Sequence, residues 1–252
     1  MHRSFEDLVE EAAAVSVDGW DFSWLDGRAS EQRPSWGYAQ MMGERMAAAS
    51  AALDVQTGGG EVLAGISRLP VLTAATESWP ANVERATARL HPLGVVVVAH
   101  DSAQPFPFAA SAFDLVVSRH PVSVWWEEVA RVLRPGGTYF SQEVGPESVG
   151  ELTDFFIGRQ VPGESGREPG LAKAAAQAAG LEVTDLRSES LRTEFRDIGA
   201  VIYFLRKVIW IVPGFTVDRY RAELRALHDR IQAEGPFLAT TRRFLIEAVS
   251  PA

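Results

Sequence analysis

A chain of 252 residues is long enough to bury one large α/β core, or one core with an added cap. Its 24 basic and 33 acidic residues give a net charge of −9, which offers no electrostatic footprint for a polyanion; the lack of any cysteine excludes disulfides, cysteine-ligated zinc and a thiol nucleophile. The N-terminal run MHRSFEDLVEEAAAVS has no apolar signal core, and the apolar region 198–212 is broken by Arg206 and Lys207, so the expectation is a cytoplasmic protein without a membrane span.

Ser4 with Asp7 three residues on predicts a capped first helix. An aromatic connector follows, Trp20, Phe22, Trp24, Trp36 and Tyr38. It either packs the N-terminal segment onto the domain or makes an apolar cover over a flat substrate; on the second reading Trp20, Trp36 and Tyr38 are substrate contacts. A helix over 36–49 carries Met41, Met42 and Met46, which read as core.

The stretch ALDVQTGGGE, 52–61, organises what comes next: a buried apolar run ends at Asp54 and gives way to three glycines. Glycines after a strand let the backbone bend tightly and approach a ligand, and in open α/β sheets ligands lie beyond the carboxyl ends of the strands. A helix over 61–68 leads to a second apolar run from Val71 to Glu77. That acid stands about 20 residues past the loop, a spacing that suits ribose hydroxyls. A helix from Pro80 to Leu90 stops at Pro92 and Gly94, and a third run from Val95 ends at Asp101. Strand and helix in alternation predict a parallel sheet with right-handed crossovers. A dinucleotide fingerprint would need glycine at Leu63, and no lysine follows the glycines as a phosphate loop requires.

Further on, a fourth strand is predicted over 113–118, a helix over 122–133 with apolar residues at three- and four-residue spacing, a turn at 134–137 and a fifth strand over 138–144. The glycine- and proline-bearing segment 158–170 reads as a mobile loop or lid. A helix closed by Gly180 precedes a sixth strand, helices over 197–211 and 217–233 form a cap, and 243–249 supplies the last strand. The expected organisation is one domain: an N-terminal helical and aromatic segment 1–50, a cofactor-binding half 51–144, and a C-terminal half 145–252 with its helical cap about 197–234.

Asp54, Gln56, Gly58 and Gly60 resemble motif I of the class I (Rossmann-like) S-adenosylmethionine-dependent methyltransferases, an acid followed by G-x-G-x-G, with Gln56 where the family has its first glycine. Asp101, Pro107, Phe108, Phe113 and Asp114 are similar to that family's acid after the third strand and its P-F-x-x-x-x-F-D pattern. VARVLRPGGTYF resembles the L-R-P-G-G turn of the small-molecule, type 11-like members. The resemblance spans about 52–144. It implies a Rossmann-like doubly wound sheet, mostly parallel with an antiparallel C-terminal strand, and S-adenosyl-L-methionine as cofactor. It further implies methyl transfer to a small organic acceptor by an SN2 step that needs no metal.

On the same resemblance, Glu77 takes the ribose hydroxyls, Asp101 with Ser102 the adenine end, and the backbone from Gln56 through Thr57 and Gly58 to Gly60 the methionine portion. Asp54 orients the loop or reaches the amino group through water, and Ser78 and Ser118 complete the cofactor contacts. His120, directly after the fourth strand, is the candidate general base, and Arg119 beside it could pair with a substrate carboxylate or with Asp101. Three alternatives stay open. An RNA methyltransferase is opposed by the acid excess and the missing cysteine zinc module. A non-catalytic nucleoside-binding domain is kept in play by Gln56, and a nicotinamide-dependent oxidoreductase comes third. No nucleic-acid or membrane partner is expected, and the oligomeric state is open.

Overall fold

The alternation read from the sequence becomes an eight-stranded sheet in the computed structural model, which describes residues 3–101, 104–159 and 167–252. In chain order the elements begin with α1 (Phe5–Ala14), β1 (Ala29–Glu31), α2 (Tyr38–Ala48), β2 (Ala51–Val55), α3 (Glu61–Ala64), β3 (Leu72–Glu77), α4 (Pro80–Leu90) and β4 (Val96–Ala99). There follow β5 (Phe113–Arg119), α5 (Trp126–Val132), β6 (Leu133–Val144), α6 (Gly150–Ile157), α7 (Pro169–Ala178), β7 (Glu182–Phe195), α8 (Ile198–Lys207), α9 (Arg221–Glu234) and β8 (Phe237–Val249). The strand order is β1-β7-β8-β6-β5-β2-β3-β4. Pairs β2/β3, β2/β5, β3/β4 and β5/β6 are parallel, whereas β6/β8 and β1/β7 are antiparallel. This is the Rossmann-like architecture expected, with the last strand antiparallel.

The chain divides into two compact units. One comprises Met1–Arg33, Glu147–Gly163 and Ser190–Arg242, and its core gathers Phe5, Leu8, Phe195, Ile198, Ile202 and Leu227. Here Ser4 Oγ accepts from the Asp7 amide at 3.2 Å while Asp7 accepts from the Ser4 amide at 3.0 Å, the reciprocal cap that the sequence predicts. Asp197 caps α8 by accepting from the Ala200 amide at 2.9 Å.

The second unit comprises Pro34–Pro146, Glu164–Glu189 and Arg243–Ala252 and contains the parallel strands. Side chains alternate across a strand, so β2 and β5 supply two cores. Leu53 and Val116 pack with Phe113, Trp126 and Tyr139 on one face. Ala52, Leu115 and Val117 pack with Met42, Met46, Leu63 and Leu90 on the other. Fully burying a leucine or valine is worth about 1.5–3 kcal/mol, so these two clusters fix the strand register from which the site hangs.

Several boundaries depart from the sequence reading for identifiable reasons. The helix expected over 61–68 is a single turn, α3, ended by Gly65. The helix expected from Val122 begins only at Trp126, because the Val122 amide and the Ser123 carbonyl are bonded by the Gln56 side chain instead of by a helix. The turn 134–137 lies inside β6 as an irregularity, where pairing jumps from Phe113↔Leu133 to Leu115↔Thr138. Strands β7 and β8 are longer than expected, and β1 and α6 carry no period that the sequence reading detected. Most of the loop read as a lid, 160–166, lies outside the described residues.

Candidate cofactor site at the tips of the parallel strands

From β2 the chain steps outward through β3 to β4, then returns to place β5 on the other side of β2. The carboxyl ends of β2 and β5 therefore flank the topological switch point, where open α/β sheets bind ligands. Asp54 lies in the last rung of the β2/β3 ladder, Gln56 and the glycines follow β2, Glu77 ends β3, Asp101 lies two residues beyond β4, Arg119 ends β5 and His120 follows it. All these tips point the same way, because the strands are parallel and in register, with Asp54 opposite both Ala75 and Val117 and Glu77 opposite Ala99.

The two glycines singled out from motif I are required for different reasons. Gly58 has φ +64 and nothing within 4 Å of where a Cβ would sit, so the loop presents bare backbone to open space. At Gly60, φ is +78 and a Cβ would come within 2.9 Å of Leu90, so this glycine lets the loop lie against α4. Arg89 of α4 holds the same loop, donating to the Gly59 carbonyl and to Glu61 at 2.6 Å. The Thr57 amide donates to the Thr76 carbonyl at 2.9 Å.

The two buried carboxylates at these tips live in different surroundings. Glu77, 6 % exposed, accepts three backbone N–H bonds: from Gly58 at 2.8 Å on Oε2, and from Ser78 and Trp79 at 2.9 Å each on Oε1. Asp54, 5 % exposed, accepts one hydroxyl bond, from Thr57 at 2.6 Å. Burial drives its pKa up to about 7, against the lowering influence of Thr57 and with a further push from the charge of Glu77.

The remaining residues named from sequence fall into place as follows. Ser118 is buried and braces two strand tips, its Oγ donating to the Val55 carbonyl and its own carbonyl accepting from Tyr38 Oη, both at 2.7 Å. Asp101 is exposed, and Ser102 lies outside the described residues. Arg119 is exposed. Trp36 and Tyr38 are buried in the unit that holds the strand tips. Trp20 belongs to the other unit, where it stacks on Phe22 at 6.0 Å and meets Trp210 edge-on at 5.7 Å.

His120 sits at φ +56, a conformation uncommon for a residue with a side chain. Its environment contains a relay that the sequence reading missed. Trp36 Nε1 donates to Gln142 Oε1 at 2.8 Å, and Gln142 Nε2 stands 2.8 Å from His120 Nε2. An indole N–H can only donate, so the amide must present its oxygen to Trp36 and its NH₂ to the imidazole, which fixes His120 as a neutral ring protonated on Nδ1. Desolvation, then the charges of Arg119 and Arg243, holds its pKa well below the usual imidazole value, in agreement with that protonation state. The only sequence signal for Gln142 was its place at the tip of the strand pairing with β5, where Arg119 lies opposite it.

No group of three or more His, Cys, Asp or Glu side chains among the described residues could hold a metal ion, and no helix among them is long and apolar enough to cross a membrane.

Residues 53–141 match the family described as a methyltransferase domain. The match spans the stretch from β2 to β6 that carries the strand tips. No curated protein matches the sequence. Among solved structures, the chain is similar to a proposed methyltransferase of Bacillus halodurans C-125 (19 % identity, TM-score 0.58, covering 84 % of this chain and 98 % of that one). It is also similar to the YcgJ protein of Bacillus subtilis (18 % identity, TM-score 0.59, 85 % and 98 %). A third likeness is to phosphoethanolamine N-methyltransferase 2 of Haemonchus contortus, solved with S-adenosyl-L-methionine (16 % identity, TM-score 0.53, covering 100 % of this chain and 61 % of that one). At these identities the likeness is one of fold.

Proposed function

We propose that this protein is an S-adenosylmethionine-dependent methyltransferase that moves the methyl group of its cofactor onto a small organic acceptor held beyond the tips of β5 and β6. The observation that carries the cofactor half of this reading is the Glu77 carboxylate, docked by three backbone amides beside a glycine whose Cβ position is open. A carboxylate offers about four acceptor sites, so three amide donors leave capacity for a ribose hydroxyl. Glu77 would hold the ribose, Ser78 would lie beside it, and Asp101 would face the adenine end. The bare backbone from Gln56 through Thr57 and Gly58 to Gly60 would follow the methionine portion, with Asp54 toward its amino group and Ser118 bracing the strand beneath.

When bound, the cofactor supplies a methyl already activated on a sulfonium, so the protein's share is to hold the acceptor in line and close. The small-molecule half rests on the acid excess of the chain and on the neutral imidazole next to the crevice. A neutral ring can receive the proton of a hydroxyl or ammonium acceptor as the new bond forms, provided its Nε2 exchanges the hydrogen bond from Gln142 for one from the acceptor. Trp36 and Tyr38 form the apolar packing under this corner, and Arg119 is the exposed cation available to an acceptor carboxylate.

The test is transfer from a labelled methyl donor into small-molecule extracts and into RNA, with wild type and His120→Ala. The proposal expects label in small molecules, and about 10²-fold slower turnover in the variant with unchanged cofactor affinity. Label in RNA alone, or wild-type turnover in the variant, contradicts it.

A further inference from the structure

Gln56 takes the backbone conformation of the glycine it replaces, with φ +57, and pays for it with a side chain that crosses to the neighbouring loop. Its Nε2 donates to the Ser123 carbonyl at 2.8 Å, and its Oε1 accepts from the Val122 amide at 2.7 Å. Backbone chemistry fixes this orientation: a carbonyl can only accept and an amide N–H can only donate, so a flipped Gln56 would lose both bonds. The two ends of this bridge belong to the loops that follow β2 and β5, which flank the topological switch point. The side-chain amide thus ties together the two loops on either side of that switch point, on the way from Glu77 at the tip of β3 toward β5.

We infer that Gln56 is a specificity-determining strap that discriminates against the amino-acid tail of the adenosyl ligand while leaving the adenosine end untouched. This inference rests on the cofactor reading above. A ligand whose ribose meets Glu77 reaches the strap only with the part farthest from the ribose, and that part must displace two well-formed hydrogen bonds or thread beneath them. The family's glycine at this position has no side chain to displace. Each lost neutral hydrogen bond is worth about 1 kcal/mol net, so removal of the pair should tighten a tailed ligand by about tenfold or somewhat more.

The experiment compares S-adenosylhomocysteine, which carries the tail, with 5′-methylthioadenosine, which lacks it, by calorimetry on wild type, Gln56→Gly and Gln56→Ala. Gln56→Ala removes the amide but keeps a Cβ at positive φ, so agreement between the two variants assigns the effect to the strap and not to backbone relaxation. The expected result is about tenfold tighter S-adenosylhomocysteine in both variants, with 5′-methylthioadenosine unchanged within about twofold. Unchanged or weaker S-adenosylhomocysteine in Gln56→Ala, or equal tightening of both ligands, overturns the strap. Failure of the cofactor reading looks different: wild type and variants bind neither ligand, and the strap falls with it.

Discussion

The tips of β2 and β3 lie side by side, and each ends in a buried carboxylate of nearly equal exposure, yet they are built for different work. Glu77 is surrounded by backbone amides, donors that the fold cannot withdraw. Asp54 accepts a hydroxyl bond from Thr57, and burial raises its pKa to about 7. Burial is therefore common to both, and what differs is the supply of donors, three backbone amides at Glu77 against the Thr57 hydroxyl at Asp54, the group that burial pushes up to about 7. Strand β3 gains its donors because the chain turns straight into α4 after Glu77, which aims the Ser78 and Trp79 amides back at the carboxylate. The glycine loop adds the third.

The sharpest way to break this comparison is to titrate Asp54 out of it. Its carboxyl has a reference value of 3.8 and a folded value of about 7, so between those pH values the folded protein holds a proton that the unfolded chain has released. That contribution to stability is complete below the reference value and is lost as pH rises through about 7. Unfolding of wild type and Asp54→Asn measured from about pH 4 to 8 should show wild type losing stability relative to the variant, on the order of 4 kcal/mol at most. Parallel curves would show that Asp54 titrates normally. Glu143, also raised to about 7 by burial, adds a slope of the same sign to both proteins and cancels in the difference. His120, held neutral, contributes with the opposite sign: its share is present above the usual imidazole value and fades on acidification, and it too cancels.

Next in size is Gly60→Ala, which forces a Cβ to within 2.9 Å of the fully buried Leu90 at a positive φ. It should cost about 3 kcal/mol in denaturant unfolding, and a loss below about 1 kcal/mol would show that the loop and α4 can give. Gly58→Ala at similar φ meets open space and should cost less in stability. The smallest effect is expected from Thr57→Val, which deletes the only hydroxyl bond to Asp54 recorded among the described residues. It should cost about 1 kcal/mol and move the Asp54 midpoint further up. A midpoint that stays or falls would show that the Thr57 hydroxyl does not stabilise the ionised carboxylate.

Much of this corner was legible before any coordinates. An apolar run, an acid and glycines are local features, and the tip of a buried parallel strand is a local address, so Asp54, Gly58, Glu77 and Asp101 could be placed on one edge of one sheet from spacing alone. The relay through Trp36 and Gln142 was not legible, because it depends on the register of β6 against β5 and on a residue 106 positions away. Nor was the strap: Gln56 could be seen to replace a glycine, but a bond to Val122 and Ser123 across 66 and 67 residues exists only once β5 is laid beside β2. The same bond shortened α5 relative to its helical pattern. In the unit built around Phe195 and Ile202, α1 showed through its Ser4 cap and α8 and α9 were expected, while α6 and the brief β1 were not.

The most direct measurement is calorimetric binding of S-adenosylhomocysteine to wild type and to Glu77→Ala at neutral pH. Removal of a carboxylate that holds a ribose should weaken the ligand by about 2 kcal/mol, roughly thirtyfold, with the fold retained by circular dichroism. Equal affinity in the two proteins would contradict the placement of the adenosine at the tip of β3.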